Sequence, residues 1–303
     1  MAETYDALIA GGGPAGLSAA LVLGRCRRRV LVCDGGRPRN AASHGMHCYL
    51  SREGTPPAEF LRLARADVAL YPSIEVRNEE IAEIARTANG FSARLAGGAE
   101  VSARRVVLAT GIVDELPAVK GARELYGRSV HHCPFCDGWE HRNEKLAVLG
   151  KGEKGAGLAA MLTLWSRDVF LFSDGPAELS CEDRARLDRL AIHIEEMRLG
   201  ALEGEDGRLR HVRLADGRAI ARDALFFNTG QHQRSPLFAQ LGCDVGAKGG
   251  VEAHAVTEES SVPGVYVAGD ASRDVLFVIV AAAEGAQAAC ALNTSLMRED
   301  GLA

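Results

Sequence analysis

The sequence lacks the features that are typical of membrane proteins, secreted proteins and nucleic-acid-binding proteins. It has no apolar run of about 18 residues, so we expect no transmembrane helix and no membrane partner. The N-terminus shows no cleavable signal pattern, and most of the eight cysteines are scattered singly. We therefore expect a reducing, cytoplasmic location. The formal net charge of −5 gives no electrostatic reason to expect a nucleic acid as partner.

Close-spaced metal ligands are equally scarce. Cys133 and Cys136 are separated by two residues, but no second Cys-x-x-Cys and no His-x-x-x-His accompanies them. A structural zinc ion needs further ligands, and adjacent side chains such as His131 and His132 rarely converge on one ion. We therefore expect no metal and predict a redox role for the cysteine pair, with half of a zinc site as the alternative.

The chain is organised around this pair, in the segment His131–Glu140 (HHCPFCDGWE). The spacing allows the two sulfurs to close a small, reducible disulfide. The first thiolate, Cys133, can lie at a helix N-terminus, where unpaired N–H groups and the helix dipole lower its pKa. Asp137 follows the second cysteine directly and can move the protons that thiol–disulfide exchange requires.

A glycine-rich turn near the N-terminus predicts a dinucleotide site. A strand at residues 5–10 leads into GGGPAG, a helix of small residues follows, and the next strand ends on Asp34. Gly11 makes the tight turn, Gly13 lets the backbone approach a pyrophosphate, and Gly16 allows the helix to pack closely on the strand. Asp34 is placed to accept hydrogen bonds from ribose hydroxyls.

The same strand–turn–helix–strand unit returns further along the chain. A strand at residues 145–149 leads into a second GxGxxG at residues 150–155, and a helix at residues 156–165 follows. The next strand, at residues 168–172, runs into Ser173-Asp174. Such a duplication predicts an α/β protein with two Rossmann-like dinucleotide-binding domains. A later strand that ends in Gly269-Asp270 returns to the first domain. We therefore predict one domain at residues 1–115 and 234–303, split by a second at residues 116–233 that carries the cysteine pair.

Taken together, these motifs resemble the low-molecular-weight thioredoxin reductase family. The resemblance rests on GGGPAG with its acid, on the ATG at residues 109–111, on CPFC, on the second GxGxxG and on VYVAGD, in the right order over essentially the whole chain. It implies three-layer domains, with FAD in the split domain, a nicotinamide nucleotide in the other, and a homodimer. It also implies that Cys136 lies nearest the flavin, that Cys133 attacks the substrate, and that Asp137 transfers protons.

Most cofactor assignments follow from that resemblance. Gly269 and Asp270 match the family's Gly-Asp that holds the FAD pyrophosphate and ribityl region. The residues assigned to FAD are Gly11, Gly13, Pro14, Ala15, Gly16, Asp34, Gly36, Arg39, Asn40, His47, Ile81, Thr110, Gly111, Gly269, Asp270, Phe277 and Val278. The residues assigned to a nicotinamide nucleotide are Gly150, Gly152, Gly155 and Asp174.

Two departures from the family pattern concern the cofactors. NADPH-dependent members carry a His-Arg-Arg cluster where this chain has Asp174, an acid that repels a 2′-phosphate and favours NADH. The flavin-contacting Arg-Gln-Ala before the last helix is replaced here by residues 276–278, Leu-Phe-Val.

A third departure concerns the substrate. Arg39-Asn40 followed by His44 and His47 resembles the dithiol oxidases that close the disulfides of gliotoxin and holomycin, although those enzymes carry His where this chain has Asp137. The sequence thus predicts an FAD-dependent thiol–disulfide oxidoreductase whose substrate is a thioredoxin-like protein or a small molecule, with NADH or NADPH as candidate donor. The alternatives are a small-molecule dithiol oxidase that uses oxygen and, in another class, a flavin- and disulfide-based redox sensor.

Overall fold

The computed structural model describes residues 3–272 and 275–302, and the chain divides into two compact units. Unit 1 consists of Met1–Ala41, Cys48–Val113 and His232–Ala303. Unit 2 consists of Ala42–His47 and Asp114–Gln231. In the part of the chain that the structure describes, no helix combines the length and the apolarity needed to cross a membrane.

The first passage through unit 1 supplies six strands and two helices. The strands are β1 (Glu3–Ala10), β2 (Val30–Cys33), β3 (Ile74–Arg77), β4 (Ile81–Thr87), β5 (Gly90–Leu95) and β6 (Glu100–Leu108). The helices are α1 (Pro14–Arg25) and α2 (Pro57–Ala69). Residues 34–56, between β2 and α2, contain no helix and no strand of the described structure, as their polar composition predicts.

The middle of the chain contains ten short strands and four helices. The strands are β7 (Ile112–Asp114), β8 (Val130–His131), β9 (Lys145–Leu149), β10 (Asp168–Phe172), β11 (His193–Glu195), β12 (Leu199–Glu205), β13 (Arg208–Leu214), β14 (Ala219–Ala221), β15 (Ala224–Phe227) and β16 (Gln231–Gln233). The helices are α3 (Ala122–Leu125), α4 (Pro134–Asp137), α5 (Gly152–Leu162) and α6 (Cys181–Arg189). The returning segment adds α7 (Leu237–Leu241), β17 (Val265–Val267), a 3₁₀ turn (Gly269–Ala271) and α8 (Val278–Glu299).

Unit 1 is built on a parallel sheet in the order β3-β2-β1-β6-β17, and the antiparallel strands β5 and β4 extend it along the first part of β6. Ala10 pairs with Cys33 and with Leu108, and Leu108 pairs with Val267. Strands β1, β2, β6 and β17 therefore end level with one another. Nucleotides bind at this carboxyl edge in parallel sheets of this kind.

Small residues let two helices of unit 1 approach each other closely. A Cβ on Gly285 of α8 would overlap the carbonyl oxygen of Ala15 in α1. Both helices pack with one face of the sheet in a cluster that includes Ile9 and Leu292. This packing fixes the start of α1 at the carboxyl edge of the sheet.

Unit 2 contains the parallel sheet β11-β10-β9-β15-β8 and a separate antiparallel sheet, β12-β13-β14. Its central strands β9 and β15 are apolar and buried on both faces, as parallel strands usually are. The predicted α/β class is confirmed, and β9 and β10 match the predicted strands residue for residue. The helix expected at residues 156–165 instead begins at Gly152, within the glycine turn, and ends at Leu162.

Candidate active site

The first glycine turn lies at the carboxyl edge of the unit 1 sheet, between β1 and α1. Gly11 has a φ of +111°, which side chains rarely tolerate, and a Cβ there would overlap the carbonyl oxygen of Ala109. A Cβ on Gly16 would in turn overlap the carbonyl oxygen of Gly11. These two glycines are therefore required by the backbone itself, as the sequence analysis predicted.

Gly13 differs from its two neighbours in what it faces. A Cβ on Gly13 would meet no atom within 4 Å, so the protein leaves the space in front of this residue open. Gly13 is also the N-cap of α1 and makes no side-chain capping hydrogen bond. The first N–H groups of a helix without such a cap are suited to binding a phosphate. The turn therefore fits a dinucleotide pyrophosphate.

The carboxylate of Asp34 is held in place at the end of β2. One oxygen accepts a hydrogen bond from the Gly36 N–H at 3.1 Å, and the other forms an ion pair with Arg65. Gly36 has a φ of +69°, and a Cβ there would meet no atom within 4 Å. Each carboxylate oxygen can accept more than one hydrogen bond, so Asp34 retains capacity for a ribose hydroxyl. Sequence reasoning missed Arg65, because nothing links it to Asp34 along the chain.

The Gly269-Asp270 pair lies next to the start of α1, because a Cβ on Gly269 would be 3.0 Å from the Cβ of Ala15. The Gly269 N–H donates to Glu284 Oε2 at 2.8 Å, and Arg39 Nη1 donates to Asp270 Oδ2 at 3.0 Å. Glu284 is a buried carboxyl in the first half of α8, where most residues are small and apolar. An acid in such a stretch was the available signal for this anchoring role, and the sequence analysis did not use it.

The remaining residues assigned to FAD occupy varied positions. Ile81 is 8% exposed and packs in the hydrophobic core, and its assignment to FAD stays a prediction. Thr110 and Gly111 follow β6 at the carboxyl edge, and Asn40 lies in a turn. Phe277 is the N-cap of α8 and Val278 its first residue, without a side-chain capping hydrogen bond.

The cysteine pair forms a disulfide in unit 2. The Cα atoms of Cys133 and Cys136 are 5.3 Å apart. Cys133 is the N-cap of the one-turn helix α4, and its sulfur accepts a hydrogen bond from the Cys136 N–H at 3.1 Å. The first sulfur thus lies at a helix N-terminus, as predicted. Two aromatic side chains of this segment are largely exposed, Phe135 at 55% and Trp139 at 64%.

Both histidines that precede the disulfide contact acidic residues of unit 2. Nδ1 of His131 lies 3.2 Å from Oδ1 of Asp137, and the His131 side chain is only 4% exposed. The hydroxyl of Tyr126 lies 3.0 Å from Nδ1 of His132 and donates to Asp114 Oδ2 at 3.1 Å. The predicted proton-transferring acid therefore has a buried imidazole as neighbour.

A cavity of about 300 Å³ opens beside this acid, within unit 2. Its lining includes Asp137, His131 and two histidines from the polar loop, His44 and His47. Nε2 of His47 lies 3.6 Å from Oε1 of Glu140. The structure thus places His47 in unit 2 with the disulfide segment, and its assignment to FAD stays a prediction.

The second glycine turn is covered by the chain's own backbone. The Gly152 N–H donates to the carbonyl of Ala177 at 2.9 Å, and a Cβ on Gly152 would lie 3.6 Å from the carbonyl oxygen of Glu178. Asp174 is also engaged, because its Oδ1 accepts from the Leu199 N–H at 2.7 Å. Part of the position predicted for a nicotinamide nucleotide is therefore filled by the loop at residues 174–178.

An ionised carboxylate anchors this covering loop. Glu196 Oε1 accepts from the Ala177 N–H at 2.8 Å and from Arg184 Nη2 at 3.0 Å. The hydrogen bond from the backbone of Ala177 lowers the pKa of Glu196 below its usual value, and the hydrogen bond from Arg184 lowers it further. A lowered pKa means that the anchor is present at neutral pH and is lost only as the pH falls through that pKa.

Comparisons with known proteins cover nearly the whole chain. Residues 5–286 match the family described as pyridine nucleotide-disulphide oxidoreductase. The thioredoxin reductase tcpT of Claviceps purpurea is 34% identical, over 88% of this chain and 86% of that protein. The crystal structure of HlmI superposes with a TM-score of 0.94 at 40% identity, covering 98% of this chain and 94% of that one. The oxidoreductase from Agrobacterium tumefaciens superposes with a TM-score of 0.91 at 32% identity, covering 97% and 99%.

Proposed function

This chain belongs to the pyridine nucleotide-disulphide oxidoreductase family and is a thioredoxin reductase-like disulfide oxidoreductase, and from that premise we propose how its two units divide the work. Unit 1 binds FAD, and unit 2, the NAD(P)-type domain, carries the redox-active Cys133–Cys136 pair. The open space at Gly13, in front of the uncapped helix α1, is the observation that supports the first assignment. The disulfide formed at the start of α4 supports the second.

Electrons enter or leave through thiol–disulfide exchange at the cysteine pair. A substrate thiolate attacks the sulfur of Cys133, the bond to Cys136 breaks, and the sulfur of Cys136 leaves as a thiolate. The second substrate thiol loses its proton and displaces Cys133, which completes a substrate disulfide. FAD held at the first glycine turn and Asp34 would supply the two-electron redox chemistry that reoxidises or reduces the cysteine pair. Asp137 takes up and releases protons beside the leaving sulfur.

The substrate is a dithiol or disulfide, either a small molecule or a thioredoxin-like protein. The exposed rings of Phe135 and Trp139 provide an apolar surface on the segment that carries the disulfide. Relatives such as the tcpT protein bear the name thioredoxin reductase, which supports a disulfide substrate of either kind. The family resemblance also supports a homodimer and a cytoplasmic location.

The covered second glycine turn favours one candidate among the finer functions. The Gly152 N–H already donates a hydrogen bond to a backbone carbonyl. Asp174, the residue that would meet a nucleotide ribose, already accepts a hydrogen bond from the Leu199 N–H. Both observations support a weak response to nicotinamide nucleotides. They support, as a second candidate, a small-molecule dithiol oxidase that returns its electrons to oxygen, with NADH ahead of NADPH if either nucleotide reacts.

Anaerobic rapid mixing tests this function. The flavin-loaded protein is mixed separately with dithiothreitol, NADH and NADPH, and the flavin absorbance is followed. We expect dithiothreitol to bleach the flavin fastest and NADPH slowest. The Cys133→Ser variant should lose the response to dithiothreitol, whereas Cys26→Ser, a change at an exposed single cysteine, should keep it.

Each outcome of that experiment has a defined meaning. If dithiothreitol fails to bleach the wild-type flavin, the thiol–disulfide reaction is not the function of this protein. Fast bleaching by NADPH at micromolar concentration would show that the covering loop opens freely and that Asp174 does not exclude a 2′-phosphate. Rapid return of the colour on admitting oxygen, with repeated turnover of the dithiol, supports the oxidase candidate over a reductase and over a redox sensor.

A further inference from the structure

Four titratable side chains of unit 2 form a continuous chain of contacts that begins at Asp137. His131 contacts this acid through Nδ1, and its other ring nitrogen, Nε2, lies 3.0 Å from Nε2 of His141. Nδ1 of His141 lies 2.6 Å from Oε2 of Glu144. Every ring nitrogen of the two histidines therefore faces another titratable group at hydrogen-bonding distance.

His131 is the most buried member of this chain, and the contacts lead from it to solvent. The exposed fraction of the side chain is 19% at Asp137, 4% at His131, 14% at His141 and 42% at Glu144. All four residues also line the 300 Å³ cavity, which gives water access to them. Two histidines that only filled space in the core would not need this order of exposure or an acid at each end.

We propose that Asp137, His131, His141 and Glu144 form a relay that carries a proton between the disulfide and solvent. The proposal rests on the proposed function, because it supplies the protons of that same thiol–disulfide exchange. Asp137 directly follows Cys136 in the chain. His131, His141 and Glu144 are positioning residues that act through Asp137.

The proton balance of the exchange gives the relay its task. When the enzyme disulfide oxidises a dithiol, two S–H bonds of the substrate and the S–S bond of the enzyme break, one S–S bond forms in the substrate, and two electrons pass to the cysteine sulfurs. One of the two substrate protons can stay on a sulfur of the reduced pair. Because the sulfur of Cys136 leaves as a thiolate, Asp137 accepts the other proton, and the relay passes it to water before the next turnover.

The relay moves three protons by one step each. One passes from Asp137 to Nδ1 of His131, one from Nε2 of His131 to Nε2 of His141, and one from Nδ1 of His141 to Glu144, which releases it to water. Each imidazole gains one proton and loses one, so both rings stay neutral and change tautomer. In the reducing direction the same steps run backwards and deliver a proton to Asp137.

Other charged groups face the same cavity and define its surroundings. Arg128, Arg208 and Arg210 line it together with Asp206 and Asp223. The carboxylate of Glu140 lies beside His47. The relay itself is defined by the three contacts given above, which join its four side chains.

The test uses His141→Ala in the flavin-loaded protein, with and without added imidazole. His141 borders the cavity, so its truncation leaves a space that free imidazole can enter. We expect turnover at saturating dithiol to fall about tenfold, with KM little changed. This is less than the roughly 10²–10⁴-fold contributed by a group that transfers the proton directly, because His141 acts through Asp137. Millimolar imidazole should restore most of it. His211→Ala, at an exposed histidine on β13, is the matched control and should show neither effect.

A second variant protects the test against misfolding. Glu144 is exposed enough that Glu144→Gln should fold normally, and it should lower turnover and increase the solvent deuterium isotope effect. Turnover within twofold of wild type in both variants overturns the relay, and so does a loss in folded His141→Ala that imidazole does not restore. Failure of the proposed function is distinguishable, because then wild-type protein would show no turnover or Cys133→Ser would retain it.

Discussion

Two glycines of the first turn, three residues apart, should respond in opposite ways to the same added methyl group. A Cβ on Gly16 would overlap the carbonyl oxygen of Gly11 and would also lie 3.2 Å from Ile9 Cγ2. A Cβ on Gly13 would meet no protein atom within 4 Å. Gly16→Ala should therefore damage the fold, whereas Gly13→Ala should damage only the binding of FAD.

The expected magnitudes follow from these surroundings. Overpacking costs about 1–3 kcal/mol, and Gly16→Ala belongs at the upper end because a backbone oxygen has no rotamer into which it can move. A loss of about 3 kcal/mol lowers the melting temperature of a domain of this size by about 6–12 °C. Gly13 has φ −80° and ψ −172°, extended values that alanine adopts, so Gly13→Ala should cost about 1 kcal/mol or less through the weaker N-cap.

The assay separates stability from flavin binding. Thermal unfolding of the flavin-free proteins reports the fold, and titration with FAD, followed by flavin fluorescence, reports the affinity. We expect Gly13→Ala to bind FAD at least about tenfold more weakly, a change of about 1.4 kcal/mol, while its apoprotein melts near the wild-type temperature. If Gly13→Ala retains FAD as well as wild type does, the open space at this turn is not the pyrophosphate site.

Three further predictions concern cysteines and the acid beside them. Cys133→Ser should leave a thiolate at Cys136, which gives a long-wavelength absorption band with oxidised flavin. Cys136→Ser should lack this band, and the reverse pattern would make Cys133 the cysteine nearest the flavin. Asp137→Asn should slow exchange about 100-fold, and near-normal turnover at every pH would reduce this acid to a helix charge. Burial raises the pKa of Cys33 to about 12, so about 10⁻⁴ of it is thiolate at pH 8. Native alkylation should then label exposed Cys26 and spare Cys33, and equal rates would contradict this.

The features that the sequence predicts well are those that a short stretch of chain determines by itself. The first glycine turn is an example, because Gly11 needs a positive φ and Gly16 must let the helix pack against the turn. The disulfide is another, since a separation of two residues suits one helical turn, and Cys133 does become the N-cap of α4. Apolar strands buried on both faces, such as β9, are recognised for the same local reason.

The features that sequence reasoning missed depend on residues brought together by tertiary structure. His131 and His141 are ten positions apart, and no periodicity of a helix or strand brings them together; their contact depends on the turns after α4. Glu284 bonds to the N–H of Gly269 across the start of α8. The antiparallel sheet β12–β14 was also missed, because its strands are short, charged and partly exposed.

The second glycine turn shows why a correct motif does not by itself establish a ligand. A GxGxxG pattern specifies that the backbone turns tightly and that a helix packs closely on it, and Gly150 and Gly155 do approach each other in this way. The pattern says nothing about which atoms meet the N–H of Gly152. Here a loop with positive φ at Asp174 and Glu178 folds back and supplies a backbone carbonyl. The glycine turn of unit 1 is open and can admit a pyrophosphate as it stands. The glycine turn of unit 2 is covered and must lose its own hydrogen bonds before a nucleotide can bind. This difference between the two turns is what the proposed preference for dithiols over nicotinamide nucleotides requires.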